Sequence, residues 1–259
     1  MQELLDRMYQ PLEDLLVEAV STGPGGRVLD IGCGTGSTTL AAARRLGAEG
    51  RCTGIDISEP MLDTARARAE QEGTPASFLR ANAQSHAFEP ASFDMLISRF
   101  GIMFFDDPVR AFANLRQAAR PGAGLRFIAW RSAAENSFMT TAERAAASLL
   151  PDLPARKPGA PGQFAFEDPR RVSSILEESG WADIDIQPLD STCTLPEKDL
   201  VRYLTRLGPV GMLFQKADER TRTQVIEAVR AAFEPYVQGT EVRFTAACWS
   251  VGARVPTSP

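Results

Sequence analysis

The stretch Val28-Leu29-Asp30-Ile31-Gly32-Cys33-Gly34-Thr35-Gly36 decides how the chain is read. Val28, Leu29 and Ile31 suit a strand covered on both faces. Gly32, Gly34 and Gly36 remove side chains at alternate positions, so a ligand can lie against bare backbone. Ser37, Thr38 and Thr39 then open an alanine-rich helix, whose first N–H groups have no partner within the helix. The expectation is a ligand at the carboxyl end of this strand.

The same pattern recurs outward from it. Residues 52–57 predict a second strand containing Asp56, followed by Ser58 as a helix cap with Glu59 and Pro60 in the first turn. Met61, Leu62, Ala65 and Ala69 give that helix an apolar face. Residues 76–81 and 93–98 read as the third and fourth strands. Asp106-Asp107-Pro108 caps a helix to about Ala119, and Pro121-Gly122 turns the chain into a fifth strand over 125–130. Strands and helices alternating at this spacing imply right-handed βαβ units and a parallel sheet. Ligands bind outside the carboxyl ends of such strands. The candidate ends are Gly32 to Gly36, Asp56, Asn82 with Ala83, and Ser98.

The flanks are less regular. Residues 3–20 carry Leu4, Leu5, Met8, Leu12, Leu15, Leu16 and Ala19 at helical spacing, with Pro11 expected to kink or split the helix. Further helices are predicted over 135–150, from Asp168-Pro169 to Gly180, and over 197–207 and 216–234. Strands are predicted over 183–186 and 241–251, the last antiparallel, and the Pro- and Gly-rich residues 151–162 read as an exposed loop. The helices around 135–165 and 196–234 read as a cover over the strand ends rather than an independent domain. The whole chain, 1–259, is thus expected to be one domain: an N-terminal helix (1–22), a cofactor-binding core (23–131), and the remaining strands with helical cap insertions (132–259).

Composition narrows the function. A net charge of −5 and the lack of a Lys/Arg run disfavour a nucleic-acid partner. No apolar run reaches the length of a membrane span, and the first residues lack a signal peptide's basic and apolar regions. Cys33, Cys52, Cys193 and Cys248 are scattered without CxxC spacing, which predicts a reduced cytoplasmic protein with no metal site.

The glycine turn must then be assigned a ligand. A dinucleotide fingerprint, G-x-G-x-x-G/A, would put its third small residue at Ser37, so the fit is poor. Asp30 beside the turn attracts cations and repels phosphate. Asp56 ends the second strand, where a carboxylate can accept hydrogen bonds from both ribose hydroxyls. A ribose with a cationic, phosphate-free tail describes S-adenosyl-L-methionine.

These residues resemble a known family. Residues 28–36 look like motif I of the class I S-adenosylmethionine-dependent methyltransferases. Asp56-Ile57-Ser58 resembles their second motif, residues 93–98 their fourth, and Arg120-Pro121-Gly122 the turn before their fifth strand. The likeness covers roughly residues 25–130, with a looser fit at 183–190 and 241–251, and is strongest to the small-molecule branch resembling ubiquinone/menaquinone-biosynthesis enzymes. It implies an α/β, Rossmann-like fold: a seven-stranded, mostly parallel sheet with helices on both faces and a helical cap. It also implies roles. The backbone of Gly32, Cys33, Gly34 and Gly36 approaches the methionine and ribose, and Asp30 helps to hold the amino end. Asp56 binds the ribose hydroxyls, and Ile57 packs on adenine. The Ala83 N–H reaches the adenine ring, and the Ser98 carbonyl faces the ammonium. Asn82 stands where the family usually has an acid, but its carbonyl can still accept from the adenine amino group.

The acceptor side is less explicit. Arg99, Phe100, Met103 and Phe104 follow the fourth strand and are candidates for a substrate wall. His86 is the only histidine and a candidate base, although a packing or surface role is the favoured reading. The leading function is in-line methyl transfer to a small organic molecule. A non-catalytic S-adenosylmethionine-binding subunit and an NAD-dependent oxidoreductase are the alternatives. An oxygen, nitrogen or carbon acceptor and the oligomeric state stay open.

Overall fold

A computed structural model of the chain describes residues 1–157 and 159–257. Helix α1 (Gln2–Glu18) runs through Pro11 without being split. Then follow β1 (Arg27–Ile31), α2 (Ser37–Leu46), β2 (Arg51–Asp56), α3 (Glu59–Glu72), β3 (Ala76–Arg80), β4 (Phe93–Arg99), α4 (Pro108–Ala118) and β5 (Ala119–Trp130). The second half holds α5 (Ser137–Ala146), α6 (Pro169–Glu178), β6 (Ala182–Pro196), α7 (Leu200–Leu204), α8 (Gly208–Phe214), α9 (Glu219–Phe233), β7 (Val237–Gln238) and β8 (Glu241–Arg254). The predicted loop over 151–162 has neither helix nor strand in its described residues; Pro158 lies outside them.

The sheet has eight strands in the order β3-β2-β1-β4-β5-β8-β6, with the short β7 paired to β8. Strands β1 to β5 pair in parallel, and β8 runs antiparallel to β5. This is the expected mostly parallel, Rossmann-like sheet, with one strand more than the seven predicted. Its order reverses between β1 and β4, so the chain leaves these neighbours in opposite directions and a crevice opens at their carboxyl ends.

Local chemistry explains the boundaries. Val28, Leu29, Ile31, Leu96 and Ile97 are buried, as central parallel strands require. Asp107 and Asp168 cap α4 and α6 by accepting the N–H of Arg110 and Arg170, each with proline opening the helix. Gly73 ends α3 in the left-handed region, where a residue without Cβ is unstrained.

The chain gathers into two compact units. One comprises Leu12–Arg131, Gly159–Leu189 and Cys248–Pro259. It holds β1 to β5 with α2, α3, α4 and α6, and its core includes an aromatic cluster in which Phe112 stacks on Phe166 and both rings lie tilted to Phe127. The other comprises Met1–Pro11, Ser132–Pro158 and Asp190–Ala247. There α5 and α9 pack together, and Phe138 stacks on Phe244 with ring centres 3.8 Å apart. The fully buried Asn136 amide fixes the start of α5 by donating to the Ala247 carbonyl (2.8 Å) and accepting its N–H (2.9 Å). No helix among the described residues is long and apolar enough to cross a membrane.

Candidate active site

A cavity of about 490 Å³ opens at the carboxyl ends of β1, β2, β3 and β4. The turn after β1 enters it as follows. The Gly32 and Cys33 N–H groups donate to the Ile55 carbonyl at 2.8 and 3.1 Å. The Gly36 N–H donates to the Cys33 carbonyl at 2.9 Å, and the Gly34 N–H to the Asp56 carboxylate at 2.9 Å. These N–H groups of the turn are therefore spent within the protein, one of them on an acid. The turn is not a phosphate cradle, in which such groups point at the ligand.

The glycines differ in purpose. Gly34, at φ 54°, lines the cavity, and a Cβ there would meet only Met61 Sδ at 3.9 Å. Gly32, at φ 66°, lets the β1 and β4 loops touch: a Cβ on it would lie 2.5 Å from the Gly101 Cα. Gly36 does not line the cavity. It permits packing, since a Cβ would come within 2.9 Å of Ala65 and 3.0 Å of Phe78.

The two strand-ending acids also differ. Asp56 lines the cavity, and each of its oxygens accepts one backbone N–H, from Gly34 and from Ser58, both at 2.9 Å. A carboxylate has about four acceptor sites, so each oxygen retains one while its orientation is held. Asp30, expected to help hold the amino end of a ligand, is 1% exposed and lies outside the cavity lining. It accepts the Thr39 hydroxyl at 2.6 Å. Burial raises its pKa to about 7 against the lowering effects of Thr39 and Arg99, with Glu13 and Asp56 adding to the rise.

Four other sequence candidates have side chains outside the cavity lining, His86 in the packing role favoured for it. The Cys33 side chain packs into the sheet beside Gly54, and burial drives its thiol pKa up, aided by Asp30 and Asp56. Ser98 is fully buried and donates its hydroxyl to the Ile31 carbonyl at 2.7 Å. Met103 is 1% exposed, and its carbonyl receives the Gly162 N–H. His86 packs edge-on against Phe88 with ring centres 4.7 Å apart. None of these four lines the cavity.

Ile57, Asn82, Ala83, Arg99, Phe100 and Phe104 do line it, with Gly32, Gly34 and Asp56. Ile57 is 69% and Phe104 56% exposed, so both offer apolar surface to a ligand. The Asn82 carbonyl oxygen already accepts the Gln84 N–H at 2.9 Å, closing an Asx turn and leaving one lone pair for a further donor. Phe100 adopts φ 66°, uncommon for a bulky residue, and its ring stacks on Trp130 at 4.3 Å and 3°. Phe105, in the same stretch, lines the cavity too, and so do Met61, Gln84 and Asp106, which sequence reasoning did not select. Met61 was assigned to a buried helix face, yet it is 46% exposed. The helix period placed it only roughly, because it opens α3 directly after the strand end.

Sequence reasoning also missed Glu13. It sits in α1 beside the buried Leu12 and Leu16 and is 9% exposed. Its carboxylate accepts the Ser37 hydroxyl in a short hydrogen bond and pairs with Arg99 at 3.1 Å. An acid directly beside an apolar helical stripe was the available signal. Glu13 therefore places an anion at the N-terminus of α2, where a pyrophosphate would otherwise sit. Among the described residues, no group of three or more His, Cys, Asp or Glu side chains is arranged for a metal ion.

Comparison with known proteins gives the same outline. A family model described as a methyltransferase domain matches residues 28–122. The aklanonic acid methyltransferase DauC of Streptomyces sp. is 32% identical over 120 residues, 46% of this chain and 54% of that protein. A 2-phytyl-1,4-naphtoquinone methyltransferase of Trichormus variabilis is 28% identical over 159 residues, 61% of this chain and 69% of that protein. The chain spans about half the length of several curated relatives it matches. The crystal structure of YcgJ from Bacillus subtilis superposes with a TM-score of 0.63 at 16% identity, covering 95% of this chain and 99% of that one, which establishes a shared fold.

Proposed function

We propose that this chain is a class I methyltransferase that transfers a methyl group from S-adenosylmethionine to a small organic molecule. The observation that carries the reading is the pairing of Asp56 with the glycine turn: its carboxylate takes the Gly34 N–H and still faces the cavity. The same residues would hold the ribose and resist a phosphate. The cavity fits the cofactor's chemistry in three further ways. Ile57 offers exposed apolar surface for a purine. Asn82 retains an acceptor lone pair for an amino group. Asp30, buried two residues before Gly32, would favour a cationic tail over an anionic one.

When bound, the cofactor supplies a methyl group on a sulfonium sulfur, which an acceptor displaces in line while the sulfur keeps the electron pair. The chain's own part is binding, alignment and exclusion of water. Asp56, held by two backbone N–H groups, loses little freedom when it accepts ribose hydroxyls. Phe100, braced on Trp130, and Phe104 and Phe105 supply a stiff apolar wall for the acceptor. No His, Lys, Cys or Tyr lines the described cavity, so its titratable side chains are Asp56, Asp106 and Arg99.

Titration calorimetry with S-adenosylmethionine, S-adenosylhomocysteine and NAD tests the cofactor. Micromolar binding of the first two without NAD is expected, and binding of NAD alone would overturn the reading. Transfer of a labelled methyl group across an acceptor panel tests the reaction. The panel begins with the acceptor types named for the two relatives. Cofactor binding with no transfer to any member would favour the non-catalytic binding subunit.

A further inference from the structure

We propose that Arg99 is the carboxylate anchor of this cavity: its guanidinium receives the α-carboxylate of S-adenosylmethionine, and Glu13 of α1 holds it in position. The proposal rests on the cofactor reading above.

The cavity is electrically asymmetric. Arg99 is the one basic side chain in its described lining, whereas Asp56 and Asp106 are acids. The cofactor is asymmetric in the same sense. Its ribose offers hydroxyl donors at one end of the thioether linkage, and its single anionic group, the carboxylate, lies at the other. With the ribose on Asp56, a carboxylate is repelled from that side and attracted towards Arg99. Gly32 and Gly101, both in the lining, leave the backbone between these two ends bare.

Arg99 itself is incompletely satisfied. Its side chain is 15% exposed, and its one hydrogen bond among the described residues runs from Nη1 to Glu13 at 3.1 Å. A guanidinium has five N–H donors, so four remain. A largely buried cation that lines a cavity with donors to spare can take a second anion there, and a carboxylate matches the fork of two parallel N–H groups. Glu13 cannot fill this need, because the same oxygen also accepts the Ser37 hydroxyl. It acts as a positioning residue: one carboxylate ties α1, the start of α2 and the end of β4 together, which fixes the guanidinium before a ligand arrives. This gives the N-terminal helix a part in the cofactor site.

The test compares S-adenosylmethionine with its decarboxylated form, which lacks only the carboxylate, by titration calorimetry on the full chain. The wild-type protein is expected to prefer S-adenosylmethionine by roughly 10- to 100-fold. Arg99→Gln should bring the two affinities within about threefold, through weaker binding of S-adenosylmethionine alone, and Arg99→Lys should fall between. Glu13→Gln keeps the size of the side chain and is expected to reduce the preference by about three- to tenfold. Arg99→Gln alone leaves the Glu13 charge buried and unpaired, so the double variant Arg99→Gln, Glu13→Gln accompanies it. Binding of the decarboxylated ligand at wild-type strength reports an intact site in either variant. An unchanged preference in Arg99→Gln would overturn the proposal and leave Arg99 to the acceptor. Equal losses for both ligands would overturn it in favour of a structural role. Failure of the wild-type protein to bind either ligand would overturn the cofactor reading itself.

Discussion

Asp30 and Asp56 look alike in the sequence, each an acid near the end of a buried strand, yet they serve opposite purposes. Asp56 is the last residue of β2, reaches the cavity and is held by two backbone N–H groups. Asp30 is the next-to-last residue of β1, is 1% exposed, and spends one oxygen on the Thr39 hydroxyl. In register Asp30 pairs with Gly54, two residues before Asp56, so the two acids share a face of the sheet and differ in depth, Asp56 lying nearer the strand ends. One acid is oriented for a ligand, and the other contributes a buried, strained charge behind it. Substitution should therefore separate them cleanly.

The largest effect is expected at Asp56. Asp56→Ala removes the proposed ribose acceptor and frees the Gly34 and Ser58 N–H groups, loosening the turn that lines the cavity. Affinity for S-adenosylhomocysteine should fall about 100- to 1000-fold, from the loss of two charge-assisted hydrogen bonds. Calorimetry measures it. A loss under tenfold would make Asp56 no more than a turn residue.

Asp30→Asn should act on stability instead. The folded state raises this carboxyl's pKa from 3.8 to about 7. Between those values the folded chain keeps a proton that the unfolded chain has released. Its contribution to stability therefore declines as pH rises through that window and stays at its lowest above pH 7. Asn keeps the shape and can still accept from Thr39 without the charge. Denaturant titration should show the variant more stable than wild type by about 4 kcal/mol at pH 8 and nearly equal at pH 4. A loss of stability at pH 8 would mean that the charge of Asp30 supports the fold.

The contrast also marks what a sequence can disclose. The elements from β1 to β4 were legible to within a residue or so, because buried runs, Asx caps and glycine stops are local signals. Helix α8 was not, since Gly208, Pro209 and Gly211 are weak helix formers and leave no helical signal in so short a stretch. Strand β6 extends from Ala182 to Pro196, although only 183–186 alternates cleanly, because Pro188 and Asp190 interrupt the pattern. Strand β5 begins at Ala119, ahead of the Pro121-Gly122 turn signal. At the site, residue type was legible but facing was not. Facing depends on distant partners: Thr39 for Asp30, Phe78 for Gly36, and Arg99, 86 positions away, for Glu13.

The glycines between the two acids repeat the contrast at a smaller scale. Gly36→Ala combines a left-handed backbone with a Cβ 2.9 Å from Ala65 and 3.0 Å from Phe78. It should cost about 2 kcal/mol of stability. Gly34→Ala meets only Met61 at 3.9 Å, so it should cost about 1 kcal/mol, the backbone part alone. Its Cβ, however, projects where the ligand lies. Cofactor affinity should consequently drop more for Gly34→Ala than for Gly36→Ala, the reverse of their order in thermal stability. Identical orders in both measurements would assign the two glycines one role.

The smallest effect joins the two acids again. Asp30 is about half ionised near pH 7, and the charged groups that act on it are Arg99, Glu13 and Asp56. A ligand carrying positive charge over the glycine turn favours the ionised form of Asp30 and lowers its pKa. By linkage, the ligand then binds more tightly to the deprotonated protein. S-adenosylmethionine affinity should rise several-fold from pH 6 to pH 8. Asp30→Asn should flatten the profile while leaving appreciable affinity. S-adenosylhomocysteine lacks the sulfonium charge and should show a shallower rise than S-adenosylmethionine in the wild-type protein. Equal slopes for the two would place the responding charge at the ammonium that both ligands share, and a slope that survives Asp30→Asn would remove Asp30 from the electrostatics of binding.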